Sequence, residues 1–295
     1  MKILILGING GFGRLFYSLL SRENHSITGV DLQPSAESGI TPQKYISCNL
    51  FSPDEQVVAE ASQADMILIC LPEKVVYPLL PLLLPHTRRD SLTVETTSVK
   101  SIITDILSGI PVAGEVLSIN PMFSPDLGMD GNNMVAVKFQ PGKFTEWFAR
   151  FTQKHGCRIT WMTTRQHDML TAVTQVATHA AIISFGFMLE KMDYQVDTNL
   201  PVSTPPHLNL LALFSRIQSA NPEVYWKIQT DNPYGQMARE TLLESMKSFV
   251  EMVESNDIQL FSEKMKTALP GEKSYPEKLA EECREIFSSR FKGLK

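Results

Sequence analysis

Cysteine is scarce in this chain of 295 residues: four thiols, at positions 48, 70, 157 and 283, with no close pairing. That spacing excludes a zinc-finger ligand set and a disulfide framework, and it reads as reduced thiols in a cytoplasmic protein with no bound metal. Charge of one sign is also missing. The net charge is -5 with both signs dispersed, so the basic footprint of a nucleic-acid or anionic-membrane binder is absent. Long hydrophobic runs are few. The opening Ile3-Leu4-Ile5-Leu6 is too short for a signal-peptide core, and residues 75–85 are too short and too proline-broken to cross a bilayer. No internal repeat or low-complexity tract is found. A small molecule and a second copy of the chain are the partners these absences leave.

What the sequence does contain is ample core material, with 43% hydrophobic residues. Over roughly the first half, short apolar runs alternate with helix-like stretches, the pattern of a parallel sheet covered on both faces. Strands are expected at residues 2–6, 26–31, 65–70, 91–95, 116–120, 134–139 and 158–162. Beyond Thr163 helical periodicity takes over, at 169–192, 208–220 and 240–254, with a proline-rich loop at 200–206. The expected architecture is therefore α/β: a parallel-sheet domain over residues 1–163, then a mostly helical domain over 164–295.

Gly7, Gly10 and Gly13 follow the first apolar strand and open an apolar helix. A glycine turn lets the backbone approach a pyrophosphate, and the helix start supplies free N–H groups and the positive end of the dipole. The spacing is G-x-x-G-x-x-G where the dinucleotide fingerprint has G-x-G-x-x-G. Asp31, ending the second expected strand, stands where a carboxylate binds the adenosine ribose hydroxyls and repels a 2'-phosphate. The expected cofactor is NAD in preference to NADP.

Three further segments, Asp65-Met-Ile-Leu-Ile-Cys-Leu-Pro72, Thr97-Ser98-Val99-Lys100 and Asn120-Pro121-Met122-Phe123-Ser124-Pro125, together with His167-Asp168, His179 and Ser215-Arg216-Ile217, resemble in order and spacing the prephenate and arogenate dehydrogenase family. The resemblance covers almost the whole chain. It implies a Rossmann domain joined to a helical domain that dimerises, and oxidative decarboxylation of a cyclohexadienyl dicarboxylate. It gives Ser98 a hydrogen-bonding role in the catalytic centre, His179 a substrate contact from the helical domain, and Arg216 a bidentate grip on a substrate carboxylate. Lys100 either steadies its motif or faces solvent, and His167-Asp168 reads as a helix start with Asp168 at the positive end. A homodimer through the helical domain also fits the amphipathic stretch carrying Leu243, Met246, Val250 and Val253.

One departure points to the substrate. The family motif reads His-Pro-Met-Phe-Gly-Pro, where the histidine accepts the ring hydroxyl proton as hydride leaves; here Asn120 and Ser124 replace the histidine and the glycine. Asparagine is no base. A neutral ring amine needs none, because its nitrogen lone pair is already available to drive hydride departure; an amine that arrives as ammonium must first lose a proton to water or another group. The preferred expectation is thus NAD-dependent conversion of 4-amino-4-deoxyprephenate to 4-aminophenylpyruvate, CO2 and NADH, with Ser98 and Asn120 in the catalytic centre. Two alternatives remain open: a prephenate or arogenate dehydrogenase with a displaced base, and a non-catalytic NAD-binding sensor.

Overall fold

A computed structural model describes residues 1–32, 40–269, 272 and 274–290. It divides into two compact units, Met1–Leu170 and Thr171–Lys295. The division falls later than the expected one after Thr163, because His167 and Asp168 are buried and hydrogen-bonded to residues of the first unit.

The first unit is built on an eight-stranded sheet: β1 (Lys2–Leu6), β2 (Ser26–Asp31), β3 (Lys44–Ser47), β4 (Met66–Ile69), β5 (Leu92–Glu95), β6 (Glu115–Pro121), β7 (Asn133–Gln140) and β8 (Arg158–Trp161), in the order β3-β2-β1-β4-β5-β6-β7-β8. Every pairing is parallel except β6 with β7. The seven expected strands are present. The eighth, β3, escaped the sequence because it is an edge strand with a single buried residue, Ile46. The expected parallel-sheet domain is present, with β6–β7 as its one antiparallel pairing.

The strands of the sheet centre are continuous apolar runs because both of their faces are covered. In β1 the two-residue period sends Ile3 and Ile5 into one core with Phe16, Leu20, Phe148 and Phe151, and Leu4 and Leu6 into the other with Val57, Leu79 and Leu80. The covering helices include α1 (Gly11–Leu20), α2 (Glu55–Gln63), α3 (Glu73–Leu83), α4 (Lys100–Ser108) and α5 (Lys143–Lys154). Carboxylates hold several of their first turns. Asp54 accepts from Val57 N–H at the start of α2, and Glu115 on β6 accepts from the N–H groups of Phe144 and Thr145 and from the Thr145 hydroxyl at the start of α5.

Chain order reverses between β1 and β4, whose carboxyl ends lie side by side. In such sheets this is where a crevice opens. Gly7, just past β1, has φ +81°, and a Cβ there would lie 2.3 Å from the Cys70 carbonyl oxygen. Gly13, in the first turn of α1, brings the helix against the turn so closely that a Cβ would lie 2.1 Å from the Gly7 carbonyl oxygen.

A helical run begins with α6 (Thr164–Thr171), passes through a π-helical turn (Ala172–Ala177) and continues as α7 (Thr178–Lys191). At 28 residues, this Thr164–Lys191 run is long and apolar enough to cross a membrane by length and composition. Its first turns carry the buried, hydrogen-bonded His167 and Asp168. In the second unit follow α8 (Val196–Asn199), α9 (Pro205–Gln218), α10 (Pro222–Asp231), α11 (Gly235–Glu254), α12 (Ile258–Thr267) and α13 (Ser274–Arg290). A small core of Ala172, Val176 and Ala238 ties the π turn to α11.

Gly13→Ala is expected to destabilise the first unit by about 1–3 kcal/mol, the usual range for forcing extra volume into a packed site, seen as a lower urea midpoint. An unchanged midpoint would mean that the α1 contact with the turn is not close.

Candidate active site

The crevice beside the β1 turn is a cavity of about 420 Å³ whose lining includes Gly7, Gly10, Asp31, Cys70, Pro72 and Lys74. The turn, the α1 start and the second-strand carboxylate thus meet in one place. Gly13 does not line it; its part is to let α1 approach the turn. Asp31 is held by two backbone donors, Asn9 N–H at 2.9 Å and Leu32 N–H at 2.7 Å. Burial alone pushes the Cys70 thiol up to about 12, so this wall of the cavity carries a neutral, unreactive sulfur. All four cysteines are free. A backbone cradle with no room for a Cβ and an open helix start offer donors suited to a pyrophosphate, and the oriented Asp31 carboxylate offers an acceptor suited to ribose hydroxyls.

The Asn120–Pro125 segment, leaving β6, packs on the first turn of α1. A Cβ on Gly11 would meet the Pro125 ring at 2.5 Å, and Phe123 stands edge-on to Phe12 with ring centres 5.9 Å apart. The Ser124 hydroxyl donates to Asp126. Ser98 lies just beyond β5, the strand beside β6, and its N–H donates to Glu73 at 3.1 Å. No hydrogen bond joins Ser98 to Asn120.

Asn120 is instead bonded to His167. The Asn120 Nδ2 lies 3.0 Å from His167 Nε2, both residues being buried. On its other side His167 Nδ1 lies 2.7 Å from Asp168 Oδ1. Asp168 does not cap its own helix, as its position suggested. Its two oxygens accept from the N–H groups of Lys100 and Ser101, each at 2.9 Å, at the start of α4. Burial raises the Asp168 carboxyl, but the hydrogen bonds from His167, Lys100 and Ser101 outweigh it and hold the group below the usual carboxylate range. Burial, reinforced by the Lys100 charge, holds His167 below the ordinary imidazole value despite Asp168.

Lys100 is fully buried and steadies its motif. Its Nζ has three acceptors for three protons: Thr97 O at 2.5 Å, Ile119 O at 2.8 Å and Glu95 Oε1 at 3.5 Å. Glu95 in turn accepts from Thr97 N–H at 2.6 Å and from the Ser118 hydroxyl. Burial pushes Glu95 up and Lys100 down, each against the attraction of the other. The Ile119 carbonyl bound by Lys100 directly precedes Asn120, so the ammonium fixes the backbone from which the Asn120 side chain springs.

In the second unit, His179 lies two residues past the π turn. A π turn displaces backbone carbonyls from their helical partners, and the Val176 carbonyl is met by Gln229 Nε2 at 2.9 Å. The His179 ring is edge-on to Tyr225 at 5.0 Å, and its Nδ1 is enclosed without a hydrogen-bond partner. Burial, then the nearby Arg216 charge, holds His179 below the ordinary imidazole value. Arg216, in the last turn of α9, is exposed and has no carboxylate partner among the described residues. The Arg216 charge thus acts on His179, while Gly7, Gly10 and Asp31 line one cavity.

The first unit is an α/β dinucleotide-binding fold with a buried polar cluster beside its glycine turn. Residues 19–135 match the nucleotide-binding domain of prephenate dehydrogenase and residues 163–267 its dimerization domain. The chain is 31% identical over 262 residues to a 4-amino-4-deoxyprephenate dehydrogenase of Streptomyces pristinaespiralis, covering 88% of each. It is 26% identical to a probable arogenate/prephenate dehydrogenase of Methanocaldococcus jannaschii over 91% of this chain, spanning 60% of that protein's length. Its fold is that of the Aquifex aeolicus prephenate dehydrogenase solved with hydroxyphenyl propionate and NAD+, with a TM-score of 0.68 at 18% identity, covering 91% of this chain and 96% of that one. The chain belongs to the prephenate dehydrogenase family, whose members are oxidoreductases.

Lys100→Met is expected to cost about 3–5 kcal/mol, because it strands the buried Glu95 without its cation. Thermal unfolding measures this; a loss below 1 kcal/mol would show that Glu95 is protonated and needs no partner.

Proposed function

We propose that this protein oxidatively decarboxylates 4-amino-4-deoxyprephenate to 4-aminophenylpyruvate and CO2, with NAD as hydride acceptor. The observation that carries the reading is the buried carboxamide of Asn120 where the family motif has a histidine. The 31% identity to a 4-amino-4-deoxyprephenate dehydrogenase supports it.

NAD, when bound, supplies the acceptor for the hydride that leaves the amine-bearing ring carbon. Gly7 and Gly10 with the α1 start hold its pyrophosphate, Gly13 keeps the turn in place, and Asp31 takes the ribose hydroxyls, which favours NAD over NADP. As the hydride leaves, the nitrogen lone pair forms a C=N bond. Loss of the ring carboxylate as CO2 returns an electron pair to the ring, restoring aromaticity and a neutral amine. No proton need be removed from the neutral amine, so no base is required at position 120. A hydroxyl substrate does need one, a service typically worth ~10² to 10⁴ in rate. Arg216 binds a substrate carboxylate, His179 contacts the substrate beside it, and Ser98 hydrogen-bonds in the catalytic centre near the ring substituent.

We further propose a cytoplasmic homodimer formed through the helical unit. Leu243, Met246, Val250 and Val253 on α11 are each at least 43% exposed, an apolar face that a second copy would cover, in the region matching the dimerization domain.

A second reading, a prephenate or arogenate dehydrogenase with a displaced base, has one observation in its favour: a histidine, His167, lies directly behind Asn120. Against it, the His167 Nε2 is already engaged by Asn120, and burial favours the neutral ring.

NADH formation with 4-amino-4-deoxyprephenate, prephenate and arogenate side by side, each with NAD and NADP, tests the proposal. The amino substrate with NAD is expected to give the highest kcat/KM, by ~10²-fold or more over prephenate. Equal or faster turnover of a hydroxyl substrate would support the second reading instead.

A further inference from the structure

We infer that His167 is a positioning residue for this reaction: tied to Asp168 through Nδ1–H, it holds the Asn120 carboxamide with its nitrogen inward and its Oδ1 outward, as a fixed acceptor for a substrate N–H. The inference rests on the amino-substrate reading proposed above and names the residue that gives Asn120 a single orientation.

A carboxamide has two nearly isosteric faces, one a donor and one an acceptor, and nothing intrinsic to asparagine chooses between them. Here the choice is forced from behind. Asp168 receives the N–H groups of Lys100 and Ser101 as well as His167 Nδ1, so it is a carboxylate and can only accept. His167 Nδ1 must therefore carry a proton. A neutral imidazole has one proton, which leaves Nε2 as an acceptor, and only the Nδ2–H of Asn120 can satisfy it across 3.0 Å. A doubly protonated ring would reverse the amide, but it would place a second cation in a buried site beside the Lys100 ammonium. The Asn120 Oδ1 is bonded to no described residue and is not among the enclosed unpartnered polar atoms, so in a residue only 4% exposed it is open for an incoming donor.

The orientation matters chemically. An outward Oδ1 accepts an amine N–H and leaves the nitrogen lone pair to the ring. An outward NH2 would donate to that lone pair and withdraw it from the step that expels hydride. The motif histidine needs no such device, since it acts as a base by itself; replacing it by asparagine creates the ambiguity that His167 resolves.

Long-range ¹H–¹⁵N spectra of the full-length protein at neutral pH, with the His167 signal assigned by its loss in His167→Gln, test this directly. The expected result is the Nδ1–H tautomer, with an unprotonated Nε2; a protonated Nε2 overturns the inference whatever the substrate. Kinetics give the second arm. His167→Phe removes the acceptor and is expected to lower kcat for 4-amino-4-deoxyprephenate roughly 10- to 100-fold, a cost typical of a small misplacement of a reacting group, with KM and NAD affinity nearly unchanged. His167→Gln, whose carbonyl can still accept from Asn120, should recover part of that loss. Equal loss in both variants, or a loss confined to KM, also overturns the inference. A wild-type enzyme that fails to oxidise the amine would count against the proposed function and leave the tautomer result standing.

Discussion

The Asp168 carboxylate is the constraint on which the candidate active site depends. It sits at the positive end of α4, taking the first N–H groups of that helix, and orients the ring of its neighbour His167. One buried anion thereby sets the position of the Lys100 backbone and the proton distribution of an imidazole. Lys100 carries the constraint onward, because its Nζ binds the Ile119 carbonyl and pairs with Glu95. Buried polar networks are costly unless every member is satisfied. Here the ammonium has three acceptors, and both buried carboxylates receive at least two donors each.

That network stiffens one wall, and the glycine turn shapes the next. Pro125 and Phe123 extend the Asn120 segment against Gly11 and Phe12 of α1, so the helix start that suits a pyrophosphate and the residue that replaces the family's base are tied by direct packing. In the proposed reaction, a hydride moves from substrate to cofactor, and both must be held to within tenths of an ångström. A rigid, fully paired scaffold behind Asn120 meets that requirement.

Much of the fold was legible because its signals are local. Continuous apolar runs marked seven strands, and the switch to helical periodicity marked the second unit. The direction of β7 was not legible, since an apolar run says nothing of parallel or antiparallel pairing. The edge strand β3 buries too little to leave a pattern. At the site, Gly7, Gly10 and Asp31 could be read from their place after strands. The pairing of Asn120 with His167 spans 47 positions and that of Asp168 with Lys100 spans 68, and no spacing rule reaches so far. The adjacent His-Asp pair was a visible signal, read as a helix start because that is the commoner use of an acid at such a position. Lys100 could be read two ways from sequence, and only its complete burial decides between them.

The proposed reaction depends on one substitution in one motif, the carboxamide at position 120 in place of an imidazole. In that proposal the change suits a ring amine, which needs an acceptor, over a ring alcohol, which needs a base. The most direct measurement is the steady-state kcat/KM of Asn120→His on prephenate and on 4-amino-4-deoxyprephenate beside wild type. Restoring an imidazole with a pKa near neutrality should raise prephenate turnover and lower the preference for the amine, with the gain limited because Ser124 and His167 are arranged around an amide. Wild-type turnover of prephenate already as fast as that of the amine, with no gain in Asn120→His, would contradict the claim.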